Sequence, residues 1–181
     1  MRSDVGVARM RTVRVEVLPY REEWHTDFEK MKGEISEALG ELAIDVLHVG
    51  STSVVGLAAK PCIDIDVVIE DYSVFESVVE RLSLLGYIHE GNLGIKGREA
   101  FKYIDKPHLA THHLYVCPRN SEELHRHLTF RDYLRRNLSA LRKYSEVKLE
   151  AARLYPNDID GYIAYKSAFI EEAYRACGLI K

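Results

Sequence analysis

At 181 residues the chain is long enough to bury a sizeable core, and its net charge of −3, from 25 basic and 28 acidic residues, argues against a general nucleic-acid groove or an anionic membrane surface as partner. No apolar run approaches a membrane span and no signal-type apolar stretch opens the chain. Cys62, Cys117 and Cys177 lack Cys-x-x-Cys spacing, so neither a disulfide framework nor a structural zinc site is expected, and the chain reads as soluble and cytoplasmic.

Residues 1–11 are polar and without periodicity and are expected to be disordered, leaving 12–181 as a single domain. Val13 to Val17 alternates like a half-buried strand stopped by Pro19. Helical spacing of Trp24, Phe28, Met31, Ile35 and Leu39 predicts a helix over 22–39 that ends near Gly40, with Trp24 as a core anchor. Strands are expected over 44–49 and 62–69, then an amphipathic helix over 73–85 closed by Gly86. A short strand at 87–89 leads into the glycine-rich loop 91–98, either a hairpin connection or a flap over a phosphorylated ligand. Two further strands are expected at 100–104 and 110–117. Three helices follow, over 121–137, 140–154 and 158–176, with Ser121 as an N-terminal start and Pro156 and Gly178 as stops.

The stretch from His48 to Ile69 concentrates the chemistry. Asp64 and Asp66 are two apart in a β-branched run, so both leave one face of the strand while Ile63, Ile65 and Val67 take the other. Adjacent like charges are costly in a core, and a hard, oxygen-ligated cation such as Mg²⁺ or Mn²⁺ relieves them. Just upstream, Gly50, Ser51, Thr52 and Ser53 combine close backbone approach with three hydroxyls, a plausible cradle for phosphate oxygens. Lys60 precedes the acidic strand and either neutralises phosphate or balances the acids.

Hydrophobic-Gly-Ser, a spacer, then Asp-x-Asp resembles the signature of the nucleotidyltransferase superfamily that includes DNA polymerase beta. The longer string, His48 to Ser53 with Gly56-Leu57-Ala58-Ala59-Lys60-Pro61 and Asp64, resembles the GrpB family within it, from about Val13 to Phe169. The resemblance implies an α/β (α+β) fold: a small mixed sheet with flanking helices and a helical C-terminal part, nucleotidyltransferase-like. It also implies phosphate-binding cations on helices after the catalytic strands, and a link to coenzyme A metabolism through relatives fused to a dephospho-CoA kinase. Superfamily members often use a third carboxylate on a later strand. Here that strand, Thr111 to Val116, has no acid, and Tyr115 stands where related sequences often have histidine.

At about 100° per residue, each C-terminal helix places a cation on the face it should bury. Arg131 falls between Leu124, Leu128 and Leu134; Lys148 between Leu141, Tyr144 and Ala152; Lys166 within Tyr162, Phe169 and Ala173. These cations either snorkel to solvent or pair with carboxylates such as Asp132 and Glu146, or they share one anion, such as a triphosphate at the Gly50–Asp66 site. His113 shares a strand face with Thr111 and Tyr115 and is a candidate base or metal neighbour, or else a hydrogen-bonded structural residue. His48 orients the glycine turn or is satisfied in the core; His125 and His127, two apart on a helix, cannot chelate one ion together.

The expected function is Mg²⁺- or Mn²⁺-dependent transfer of a nucleotidyl group from a nucleoside triphosphate to an acceptor. Asp64 and Asp66 hold the metal, His113 acts as base, and Gly50, Ser51, Thr52, Ser53, Lys60, Arg131, Lys148 and Lys166 bind phosphate. The alternative is a non-catalytic nucleotide-binding or accessory module.

Overall fold

In the computed structural model, which describes residues 14–180, the chain is a mixed α/β protein. Helix α1 (Glu23–Leu39) precedes strand β1 (Asp45–Val49); a single 3₁₀ turn, Ser51–Ser53, leads towards β2 (Ile63–Ile69). Helix α2 (Phe75–Leu84), strands β3 (Tyr87–Gly91), β4 (Glu99–Tyr103) and β5 (His112–Pro118) follow, then helices α3 (Glu122–Arg136), α4 (Leu138–Leu154) and α5 (Ile159–Ala176). The expected elements recur within a few residues. The alternation after Val13 is the exception: its first residue and residues 1–11 lie outside the described residues, and the rest forms no strand. Instead Val15 donates its amide to the Pro156 carbonyl, and Leu18 makes an isolated antiparallel bridge to Ala59.

The sheet has five strands in the order β1-β2-β5-β4-β3. The parallel β2–β5 pair sits beside antiparallel β1 and β4. Its register sets Asp64 beside His113 and Asp66 beside Tyr115. The 3.6 periodicity of α1 puts Trp24, Phe28, Met31, Ile35 and Leu39 on one buried stripe, closed by Gly40 at a φ of 53°. That stripe packs with Val78 and Leu82 of α2 on Ile63, Ile65, Val67 and Ile69. Each such side chain contributes roughly 1.5–3 kcal/mol by leaving water.

The opposite face is covered by α3 through Val68, Cys117 and Leu124, with Leu47, Tyr115 and Leu128 around them. Helices α3–α5 enclose a second core in which Val54 and Leu57, from the segment after the 3₁₀ turn, pack on Leu134, Leu141, Tyr144 and Phe169. Ala58 donates its amide to Ser145 Oγ of α4. Each of these helices has a side-chain N-cap, Ser121, Asn137 and Asp158, which satisfies an amide of the first turn. Among the described residues, no helix is long and apolar enough to cross a membrane.

Candidate functional site

Strand alternation sends Asp64 and Asp66 to the α3 side of the sheet, away from the large core, as i and i+2 require. Gly50 follows from their position: its φ is 68°, and a Cβ there would lie 2.1 Å from Asp64 Oδ2. The glycine seats the Asp64 carboxylate against the backbone.

Asp64 Oδ1 lies 2.9 Å from His113 Nδ1 across the β2–β5 register. The Asp64 hydrogen bond, with a weaker one from Cys62, raises the His113 pKa above its ordinary 6.5, so the imidazole holds a proton beside the carboxylate. Cys62 Sγ is 3.7 Å from Nδ1 and 3.8 Å from Nε2 of the same ring.

Asp66 is fully buried, and Oδ2 lies 2.7 Å from His127 Nδ1 while Oδ1 has no partner among the described residues. Burial raises the Asp66 pKa against the opposing pull of His127. His127 Nε2 lies 3.3 Å from Glu123 Oε1. Burial opposes protonation of His127, but the bonds to Asp66 and Glu123 outweigh it and raise its pKa to about 9. A carboxylate–imidazole–carboxylate chain thus runs from α3 into the acidic strand. The sequence projection set His127 aside because it pairs with no neighbouring histidine; its partner is 61 residues away.

The predicted cations divide. Lys148 is 1% exposed, its Nζ has no hydrogen-bond partner among the described residues, and it lies 4.4 Å from the Tyr144 ring centre. Burial, then the charge of Lys166, push its pKa well below the ordinary value, while Asp64 pulls the other way. Lys166 sits 4.3 Å from the Tyr162 ring centre; burial, then Lys60, lower its pKa to about 8, again opposed by Asp64. Lys148 and Lys166 therefore lie in the field of Asp64, and Lys60 acts on Lys166. Arg131 does not join them: it donates from Nη1 to the His48 carbonyl at 3.1 Å and from Nε to Asp132 Oδ1 at 2.8 Å. Arg135 likewise donates to the Ser53 carbonyl. These two arginines brace the glycine turn from behind, in a groove of about 570 Å³ that includes neither aspartate.

Within the turn, Thr52 Oγ1 donates to the Cys62 carbonyl at 3.3 Å and lies 2.9 Å from His48 Nε2. Ser53 Oγ donates to the Gly50 carbonyl. Two of the three hydroxyls read as a phosphate cradle thus hold the turn in shape, while Ser51, half-buried, neighbours the Tyr144 hydroxyl. Burial lowers the His48 pKa to about 4, so it is neutral, stacked on Phe28 at 4.6 Å between ring centres. Loop 91–98 joins the β3–β4 hairpin and brings Arg98 to 4.3 Å from the Tyr115 ring centre, with its Nε buried and without a hydrogen-bond partner among the described residues.

The family model described as GrpB protein matches residues 14–176. The chain is 35% identical over 159 residues to the glutamate-rich protein GrpB of Alkalihalophilus pseudofirmus, covering 86% of this chain and 91% of that one. It is 32% identical over 160 residues to UPF0157 protein YqkA of Bacillus subtilis, covering 88% of this chain but 46% of YqkA, so it spans about half of that relative. A dephospho-CoA kinase of Mycolicibacterium paratuberculosis is 26% identical over 186 residues, 89% of this chain and 45% of that one. The crystal structure of conserved protein GrpB from Enterococcus faecalis has a TM-score of 0.76 at 33% identity, covering 89% of this chain and 98% of that chain. Cid1 in complex with a UTP analogue gives a TM-score of 0.45 at 11% identity, over 82% of this chain and 48% of that chain.

Proposed function

The chain belongs to the GrpB family, and on that premise we propose that it is a divalent-metal-dependent nucleotidyltransferase, moving a nucleotidyl group from a nucleoside triphosphate to an acceptor. One observation carries this reading: among the described residues, unmet polar groups of both kinds lie about Asp64. Asp66, two residues along the same strand face, has a buried acceptor, Oδ1, without a donor, and Lys148, in the field of Asp64, has a buried donor, Nζ, without an acceptor. A metal–triphosphate complex supplies what each lacks, a cation to the acid and anionic oxygens to the amine.

Asp64 and Asp66 would hold Mg²⁺ or Mn²⁺, whose chemistry when bound is to polarise a phosphoryl oxygen and make the acceptor more acidic. Lys148 and Lys166, with Lys60 close enough to act on Lys166, set positive charge where a triphosphate tail carries its negative charge. Gly50 fixes the Asp64 carboxylate, and Ser51, beside the Tyr144 hydroxyl, is the cradle hydroxyl not committed to holding the turn. His127 holds Asp66 in one orientation. His113, 55% exposed, is the imidazole within reach of an acceptor; it can take a proton only after releasing the one it shares with Asp64.

A second reading, a nucleotide-binding module without catalysis, is favoured by strand β5. It sets His113 and Tyr115, and no third carboxylate, beside the two aspartates. The match to a dephospho-CoA kinase chain suits such a module in coenzyme A metabolism. Isothermal titration with nucleoside triphosphates, with and without Mg²⁺, tests both. Binding that needs Mg²⁺ and disappears in Asp64→Asn supports the transferase. Metal-independent binding supports the module, and no binding overturns both.

A further inference from the structure

Cys62 has no part in the chemistry above, yet strand geometry fixes it on the acidic face. It stands two residues before Asp64 and four before Asp66, so all three side chains leave β2 and its approach on one side. Across the parallel register, His113 completes a group with Cys62 and Asp64 whose sulfur, nitrogen and carboxylate oxygen all lie within 4.8 Å of one another. We propose that Cys62, Asp64 and His113 form a binding site for a borderline divalent transition metal, Zn²⁺ or Co²⁺ in class, with one coordination position open to solvent.

The dimensions fit. Zinc bonds of about 2.0–2.2 Å to nitrogen and oxygen and about 2.3 Å to sulfur put tetrahedral donors about 3.3 Å apart for N···O and about 3.6 Å for S···N. The observed S···N separations are 3.7 and 3.8 Å, already at that spacing. The N···O pair, at 2.9 Å, has to open by about 0.4 Å, a movement of side-chain tips. A sulfur nearly equidistant from both ring nitrogens is aimed squarely at neither, so the Cys62–His113 hydrogen bond is a weak one that a metal bond readily replaces.

The donor set also decides the metal. Thiolate and imidazole favour zinc, cobalt and their neighbours, whereas Mg²⁺ takes oxygen and sheds water reluctantly. The cleft thus has a buried oxygen end at Asp66 and an accessible sulfur–nitrogen end at Cys62 and His113, with Asp64 between them. His113 is 55% exposed and Cys62 half-buried, so a bound ion keeps an outward position, the pattern of open rather than closed zinc sites. Binding expels the thiol proton and the proton held between His113 and Asp64, both to solvent.

The proposal rests on the preceding reading only in sharing Asp64; no nucleotide is needed, so its test is run on the reduced full chain with metal alone. Co²⁺ titration is expected to produce a near-ultraviolet thiolate-to-cobalt absorption band, displaced by Zn²⁺, retained in Cys177→Ser and lost in Cys62→Ser. Zn²⁺ affinity should fall about tenfold or more in Cys62→Ser and in His113→Ala. Site-resolved mass spectrometry after iodoacetamide should show Zn²⁺ protecting Cys62 but not Cys177, which is also partly accessible. Absence of the cobalt band, equal Zn²⁺ affinity in Cys62→Ser, or Cys62 alkylation unaffected by Zn²⁺ overturns the site. Mg²⁺-dependent nucleotide binding by the unaltered chain would then still stand on its own.

Discussion

Lys148→Met separates a functional lysine from a structural one, because the two roles predict opposite signs. The amine is 1% exposed and has no hydrogen-bond partner among the described residues. A buried polar group left unsatisfied costs about 1–3 kcal/mol. Against that stands the contact with the Tyr144 ring at 4.4 Å, worth up to about 2 kcal/mol for a desolvated cation and less for an amine whose pKa is lowered towards the neutral form. Methionine fills similar volume without a donor. The variant should therefore be more stable by about 1–2 kcal/mol, a rise of roughly 2–8 °C in melting temperature for a chain of this length. Affinity for a nucleoside triphosphate should fall at least about tenfold, the loss of one charge-assisted contact. Urea and thermal unfolding give the first quantity and calorimetric titration the second. A variant destabilised by more than about 1 kcal/mol, with nucleotide affinity unchanged, would show that the amine serves the core, and the reasoning would fail.

Gly50→Ala should lose at least about 2 kcal/mol in urea unfolding, since its φ is 68° and the new Cβ would meet Asp64 Oδ2 at 2.1 Å. A loss below about 0.5 kcal/mol contradicts the close seat of the carboxylate. His127→Ala should cost about 3–5 kcal/mol at pH 7, because Asp66 is left as a buried unpaired carboxylate. In an Asp66→Asn background the same substitution should cost much less, and equal costs would deny the pairing. For pH, His48 and His112 are both lowered to about 4 by burial. The unfolded chain therefore takes up protons near pH 6.5 that the folded chain refuses, and stability falls as pH drops from 6.5 to 4, by up to about 1.4 kcal/mol per pH unit for each histidine. His113 and His127, whose pKa values are raised, stay protonated in the folded chain throughout; their unfolded forms complete protonation by about pH 5.5, so they offset the slope only at its upper end and add nothing below it. His48→Gln should remove about half of it in unfolding curves taken from pH 6.5 to 4.5, and an unchanged slope sinks the assignment.

The fold was legible because its signals are local. The α1 stripe, the β-branched run of β2 and the N-caps Ser121 and Asp158 all act within a few residues of themselves. Alternation alone placed Asp64 and Asp66 on one face and His113 on the matching face of β5. Helical projection found the inward cations, but it cannot say what an inward cation meets. Lys148 and Lys166 meet the field of Asp64, whereas Arg131 meets Asp132 and a carbonyl. His127 escaped because its contact depends on how α3 is laid across the sheet. Cys62 did leave a signal, the i, i+2, i+4 series with both aspartates, which a search for Cys-x-x-Cys spacing passes over.

Helix α3 grips two separate parts of the cleft with one row of side chains, Glu123, His127 and Arg131, spaced four apart: His127 holds the buried acid, and Arg131 the carbonyl that opens the glycine bend. Rolling or sliding that cylinder breaks both grips together. Tightening of Asp66 and docking of the helix are therefore thermodynamically linked, and a ligand that tightens Asp66 is expected to slow amide exchange along α3 as far as Arg131, which does not touch the acid.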